Sequence, residues 1–232
     1  MDTVNILSGG AAQGLVRGLT EAFQAQTGFA IDGEFSAVGA MADKLRAGAS
    51  ADLVILTQAL VAKLAEEKLV ILPSIADVGR VETALAVRSR DPRVTVRTEA
   101  DLREVLRAAD AIFVPDIKAS TAGRHVAKVL DQLGIAYEVT SRLKIFPDGA
   151  TAMRELAASA AQKPIGCTQA TEIIATDGIA LSGSLPPGCE LVTMYTTGVT
   201  VRAAHPKEAA ALVALLAGAD QRELRQRVGF AG

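Results

Sequence analysis

Small and hydroxyl-bearing residues recur in this sequence wherever an apolar run gives way to a helical pattern. The segments are Ser8-Gly9-Gly10, Ser36-Ala37-Val38-Gly39, Thr57-Gln58, Lys118-Ala119-Ser120-Thr121-Ala122-Gly123 and Thr168-Gln169. In an open α/β sheet, ligands lie beyond the carboxyl ends of the strands, where backbone N–H groups at helix N-termini face them. Five such loops offer N–H and O–H donors to one small anion. The expected ligand contacts are Ser8, Gly9, Gly10, Ser36, Val38, Thr57, Ser120, Thr121, Arg124, Thr168 and Gln169. Each Ser or Thr could equally be a helix N-cap.

Charge is sparse around these loops. Arg124, near a helix start, could grip a carboxylate bidentately, and Lys118 could add a point charge; either could instead serve a salt bridge. Glu172 and Asp116 are the acidic residues nearest the loops, and each could be a cap. Proton transfer would need a base within reach of substrate, for which Glu172, Lys118 and His125 are the candidates.

Other chemistries lack their residues. Ser8-Gly9-Gly10-Ala11-Ala12-Gln13-Gly14 matches a dinucleotide fingerprint only loosely, and Phe35 and Ser36 stand where its acidic residue would be needed. There is no phosphate-loop or nucleophile-elbow motif. The two histidines, His125 and His205, complete no triad and read as solvated or capping side chains. Cys167 and Cys189 stand without a CxxC or His–Cys set, so they read as plain thiols. No metal and no cofactor are expected.

The elements that must position these loops follow from periodicity. Val4 to Leu7 is a short apolar run, and Leu15, Leu19 and Phe23 then fall on one helix face, which Gly28 closes. A strand over 30–35 and a helix carrying Met41 and Leu45 repeat the pattern, as do a buried strand over 52–56 and a helix with Leu60 and Leu64. Three successive β–α units imply a parallel sheet. A strand over 84–88 precedes a polar stretch, 89–96, broken by Pro92, which reads as a crossing between lobes. Beyond it come a helix over 99–108, a strand over 111–114, a helix bearing Val126, Val129, Leu130 and Leu133, a strand over 142–146, a helix over 149–160, and a strand over 165–168 with a short helix. A strand over 196–201 then returns to the first lobe, followed by two helices. The expected lobes are residues 1–88 with 192–232, and 89–191.

Composition excludes broad classes. Half of the 232 residues are hydrophobic and 22% are charged, a globular profile rather than a disordered one. With 24 Lys and Arg against 26 Asp and Glu and only 3% aromatic residues, no basic, stacking surface for nucleic acid is present. No apolar run approaches the roughly 18 residues of a membrane span, and Met1 to Asn5 lack the pattern of a signal peptide. As it stands the chain reads as cytoplasmic; with a signal removed beforehand it would be periplasmic.

Several strings resemble the molybdate-binding type of bacterial solute-binding proteins of ABC transporters. They are Glu21-Ala22-Phe23 with Thr27-Gly28, Gly39-Ala40, Gly48-Ala49-Ser50-Ala51-Asp52-Leu53-Val54-Ile55, Ala122-Gly123-Arg124, Gly166 with its four following residues, and Gly229-Phe230. The resemblance spans nearly the whole chain. It implies the two-lobed α/β, type 2 periplasmic-binding-protein fold with a ligand cleft between the lobes, a small anionic ligand, a monomer, and an ABC permease as partner if the protein is exported. By this alignment the family's two oxyanion-binding serines fall on Ala11 and Val38, and its pocket tyrosine on Gln169. The hydroxyls and amide at Ser8, Ser36, Ser120, Thr121, Thr168 and Gln169 suit a longer ligand, an organic di- or tricarboxylate rather than molybdate. The string Ile165 to Ile173 also resembles the branch that includes trans-aconitate isomerase, which implies an alternative: isomerisation of an unsaturated polycarboxylate by a 1,3-proton shift.

Overall fold

The first third of the chain realises its hydrophobic periodicity as three β–α units. In the computed structural model, which describes residues 1–231, strand β1 (Thr3–Gly9) enters helix α1 (Gln13–Thr27) through a 3-10 turn (Gly10–Ala12). Strand β2 (Ala30–Ser36) leads to α2 (Val38–Arg46), and β3 (Leu53–Thr57) to α3 (Gln58–Glu66). Leu15, Leu19 and Phe23 are buried along one face of α1. The helix stops at Gly28, whose φ of 77° places it in the left-handed region and lets its N–H reach the Gln24 carbonyl. There follow β4 (Ala76–Arg88), α4 (Glu99–Ala108), β5 (Ala111–Pro115), α5 (Thr121–Gln132), α6 (Ala136–Val139), β6 (Leu143–Phe146), α7 (Gly149–Ala158), β7 (Pro164–Gln169), α8 (Ala170–Ile174), β8 (Ile179–Ser184), β9 (Val192–Val199), α9 (Pro206–Ala217) and α10 (Arg222–Arg227).

The chain divides into two compact units. Unit 1 holds residues 1–81 and the segment from Thr193 onward; unit 2 is Glu82–Val192. The first exchange thus runs through β4, at Val81 and Glu82, upstream of the polar stretch after Arg88. A single thirteen-residue strand serves both units: its first part alternates buried Val81 with exposed Arg80 and Glu82, and its second part, Ala84 to Val87, is continuously apolar.

In unit 1, β1 lies between β2 and β3 in parallel, and β9 pairs antiparallel with β3 and neighbours β4. Ser8 stands opposite both Phe35 and Ile55, so the carboxyl ends of the three parallel strands lie side by side. The buried Asp52 carboxylate accepts the backbone N–H groups of Asn5 and His205, each at 2.8 Å, fixing the start of β3 to β1 and to the entry of α9. Helices α9 and α10 pack on α1.

In unit 2, β7 lies between parallel β5 and antiparallel β4; β6 extends the sheet beside β5, and β8 pairs with β4. Leu85 and Cys167, opposite each other, face a core that includes Leu102 and Leu106 of α4 and Val126, Val129 and Leu130 of α5. On the other face α7 closes down on Gly166, where a Cβ would come within 2.6 Å of Met153 Cε. Among the described residues no helix is long and apolar enough to cross a membrane.

Candidate functional site

Unit 1 presents three helix starts at adjacent strand ends. The N-caps of α1, α2 and α3 are Ala12, Ala37 and Thr57, none makes a side-chain capping bond, and none of the three first turns contains an acidic residue. Their leading N–H groups and positive dipole ends are therefore not neutralised locally, the electrostatic condition for anion binding. Ser36 and Thr57 are half-buried there. Gly9 and Gly10 are buried, and a Cβ on Gly9 would lie 2.6 Å from Val38 Cγ1 and 3.1 Å from Tyr195 Cε1. Only glycine lets the end of β1 approach α2 and β9 this closely. Ser8 is buried and donates its hydroxyl to the Gly9 carbonyl at 2.9 Å.

Tyr195 was not among the residues expected here. It stands opposite Thr57 on β9, is 2% exposed, and meets Phe230 edge to face at 6.1 Å. One aromatic residue within the run from Val192 to Thr197 was the available signal, in a chain with only two tyrosines.

Unit 2 arranges its loops through local hydrogen bonds. After β5, Asp116 Oδ1 accepts N–H bonds from Lys118 at 2.6 Å and Ala119 at 2.7 Å. The Ala119 and Lys118 N–H groups hold its carboxyl below the usual range. Ser120 is a true cap, accepting the Gly123 N–H at 3.3 Å, and Thr121 begins α5 half-buried. Arg124 is exposed and donates from Nη1 to the carbonyls of Lys118 at 2.9 Å and Ala119 at 3.3 Å, bracing the loop. Lys118 points to solvent. The ring of His125 is engaged at 2.8 Å with the Cys189 carbonyl.

The end of β7 is different, because its polar groups are buried. Thr168, at 0% exposure, donates to Glu172 Oε2 at 2.5 Å, and Glu172 also accepts the backbone N–H groups of Gln169 and Gly149. Burial pushes the Glu172 carboxyl up to about 7; the Thr168 hydroxyl opposes the rise, nearby Asp148 reinforces it, and the two N–H groups oppose it. A Cβ on Gly149 would fall 1.9 Å from Glu172 Oε2 and 2.2 Å from Thr168 Oγ1, so the start of α7 sits directly on this carboxyl. The same residues thus combine hydrogen-bond donors with a carboxyl that exchanges its proton near neutrality. Asp148 caps α7 and Gly149 begins it, at a junction where no site residue is expected from the sequence. Among the described residues no group of three or more His, Cys, Asp or Glu side chains could hold a metal ion.

Known proteins share this architecture. An aconitate isomerase of a Pseudomonas species is 26% identical over 229 residues, covering 94% of this chain and 83% of that protein. The periplasmic molybdate-binding protein of Azotobacter vinelandii superposes with a TM-score of 0.82 at 17% identity, covering 99% of each chain. The sulfate-binding protein SubI of Mycobacterium tuberculosis gives 0.76 at 19% identity, covering 99% of this chain and 86% of that one. These likenesses establish the periplasmic-binding-protein fold over nearly the whole length. The model of the bacterial extracellular solute-binding protein family matches residues 4–231, and the chain belongs to that family.

Proposed function

We propose that the protein binds a small organic di- or tricarboxylate through donors at its strand-end loops. The observation that carries this reading is the set of three uncapped, acid-free helix starts at neighbouring strand ends of unit 1. They supply N–H donors and positive potential without fixed cations, which suits an anionic ligand. The choice of carboxylates over molybdate rests on Ala11 and Val38. Both are buried, at 2% and 3% exposure, and neither has a hydroxyl to offer a compact oxyanion. An unpaired buried oxygen costs about 1–3 kcal/mol, so two such losses disfavour molybdate heavily. Arg124 uses Nη1 to brace its loop, which leaves Nε and Nη2 to pair with a ligand carboxylate. Binding would favour a form that a permease can distinguish from the empty protein.

A second reading is favoured by Glu172 and by the aconitate isomerase relative. A carboxyl titrating near 7 can remove a proton from the carbon beside a conjugated carboxylate and return it at the far end of the allylic system. Lys118 and His125 are poorer bases for this step, one exposed and the other held by a backbone carbonyl. Two experiments separate the readings. Calorimetric titration with citrate and trans-aconitate should give saturable one-to-one binding. Proton NMR of trans-aconitate in D2O with the protein should show no exchange or isomerisation for a binding protein; conversion to the cis isomer, lost in Glu172→Gln, would establish the isomerase.

A further inference from the structure

Buried threonines in this protein pair their hydroxyls almost as a rule. Thr168 donates to Glu172, Thr196 to Asp77, Thr197 to the Val54 carbonyl and Thr200 to the Ala51 carbonyl. Thr83 and Thr171, 1% and 3% exposed, depart from this: neither Oγ1 has a hydrogen-bond partner. Unpaired buried hydroxyls are uncommon in folded proteins, and each implies a partner supplied from elsewhere.

Their placement shows where that partner would sit. Thr83 on β4 is directly opposite Gln169 on β7, and residues opposite each other on antiparallel strands share a face of the sheet. That face is the one carrying Leu85 and Cys167 against α4 and α5, so Thr83 and Gln169 crown the core at the carboxyl end of β7. Thr171 lies just beyond, in the first turn of α8. Two orphaned hydroxyls and a carboxamide therefore gather where β7 ends and α8 begins, the junction that also carries the buried Thr168–Glu172 pair. No cation is buried with them: Lys118 and Arg124 are both exposed.

We propose that Thr83 and Thr171 are ligand-binding residues whose hydroxyls donate to one carboxylate of the bound anion, beside Gln169. This deepens the function proposed above and rests on it. A carboxylate has lone pairs enough to accept from both hydroxyls, and a neutral cradle binds it without the cost of burying a cation. An organic di- or tricarboxylate, with one carboxylate for this cradle and another left for other donors, is the chemical class that suits it.

The test compares Thr83→Val and Thr171→Val with Thr83→Ser and Thr171→Ser in the full chain, by calorimetric titration with citrate and by melting temperature without ligand. Each Val variant should bind citrate about tenfold more weakly while melting at or above the wild-type temperature, because an unpaired polar group has been removed. Each Ser variant should keep citrate affinity within about threefold, since it keeps the hydroxyl. A Val variant with unchanged affinity, or one that melts lower without ligand, would overturn the assignment by showing a hydroxyl satisfied within the folded protein or by fixed water. If wild-type protein binds molybdate but not citrate, the carboxylate reading fails by itself. The same variants titrated with molybdate then judge the hydroxyls: a tenfold loss upholds their ligand role and no loss refutes it.

Discussion

Glu172 concentrates the physical chemistry of unit 2. Its carboxyl moves from an ordinary 4.5 to about 7 because burial outweighs the hydroxyl and N–H groups that hold the anion. A carboxyl raised on folding stabilises the protein fully below its unfolded pKa, and that contribution is lost as pH rises through the folded value. The window is therefore pH 4.5 to about 7, and the gap corresponds to something on the order of 3 kcal/mol. Glu172→Gln removes the titration, so its stability in urea should gain on wild type steadily across this window and run parallel to it above pH 8. A constant difference from pH 4 to 8 would show that Glu172 does not hold its proton near neutrality. The sequence offers Glu172 as an acid close to a loop and as one of three candidate bases, but not its burial, which depends on α7 arriving from a different strand end. The surroundings of Thr83 and Tyr195 were illegible for a similar reason: they are set by antiparallel pairings across the sheets, which local spacing does not encode.

Elements were more legible than contacts, because period and capping are local. The helix over 99–108 has the bounds its pattern gives, locked by the reciprocal capping bonds of Thr98 and Asp101. Strand β4 is longer than expected, since its first half alternates exposed charge with buried Val81 and Thr83; that period of two was readable. Strand β8, Ile179–Ser184, escaped notice because Ser182, Gly183 and Ser184 read as a loop until the partner strand supplies its ladder. Gly123 shows how an element end depends on one residue. A Cβ there would lie 2.1 Å from the Asp116 carbonyl oxygen and 2.6 Å from its carbon, both backbone atoms that cannot rotate away. Gly123→Ala should destabilise the protein by about 2 kcal/mol or more in a urea titration and weaken ligand binding by displacing the start of α5. A loss below about 0.5 kcal/mol would mean that this turn yields easily. Gly28→Ala is a useful contrast, since a Cβ there meets nothing and only its left-handed φ opposes the change.

At the scale of the molecule, the fold and family follow from the β–α rhythm and from strings spread along the chain, whereas the ligand does not. From the interrupted rhythm the sequence leads to an expectation of two lobes. It placed the first exchange after Arg88 because a polar, proline-broken segment looks more like a crossing than an unbroken strand does. Specificity is harder because relatives with a common fold carry names as different as molybdate-binding protein, sulfate-binding protein and aconitate isomerase. It must be argued from individual side chains, and here from the missing hydroxyls at Ala11 and Val38.

The most direct measurement is a thermal-unfolding panel with citrate, trans-aconitate, molybdate, tungstate and sulfate at equal concentrations. A ligand present at 100 times its Kd and bound only by the folded state adds about 2.7 kcal/mol, or roughly 5–10 °C in melting temperature for a chain of this size. Citrate or trans-aconitate should raise the melting temperature by that order in a concentration-dependent way, with the tetrahedral oxyanions changing it by less than about 1 °C. A rise with molybdate or tungstate, and none with the organic acids, would contradict the proposed carboxylate specificity.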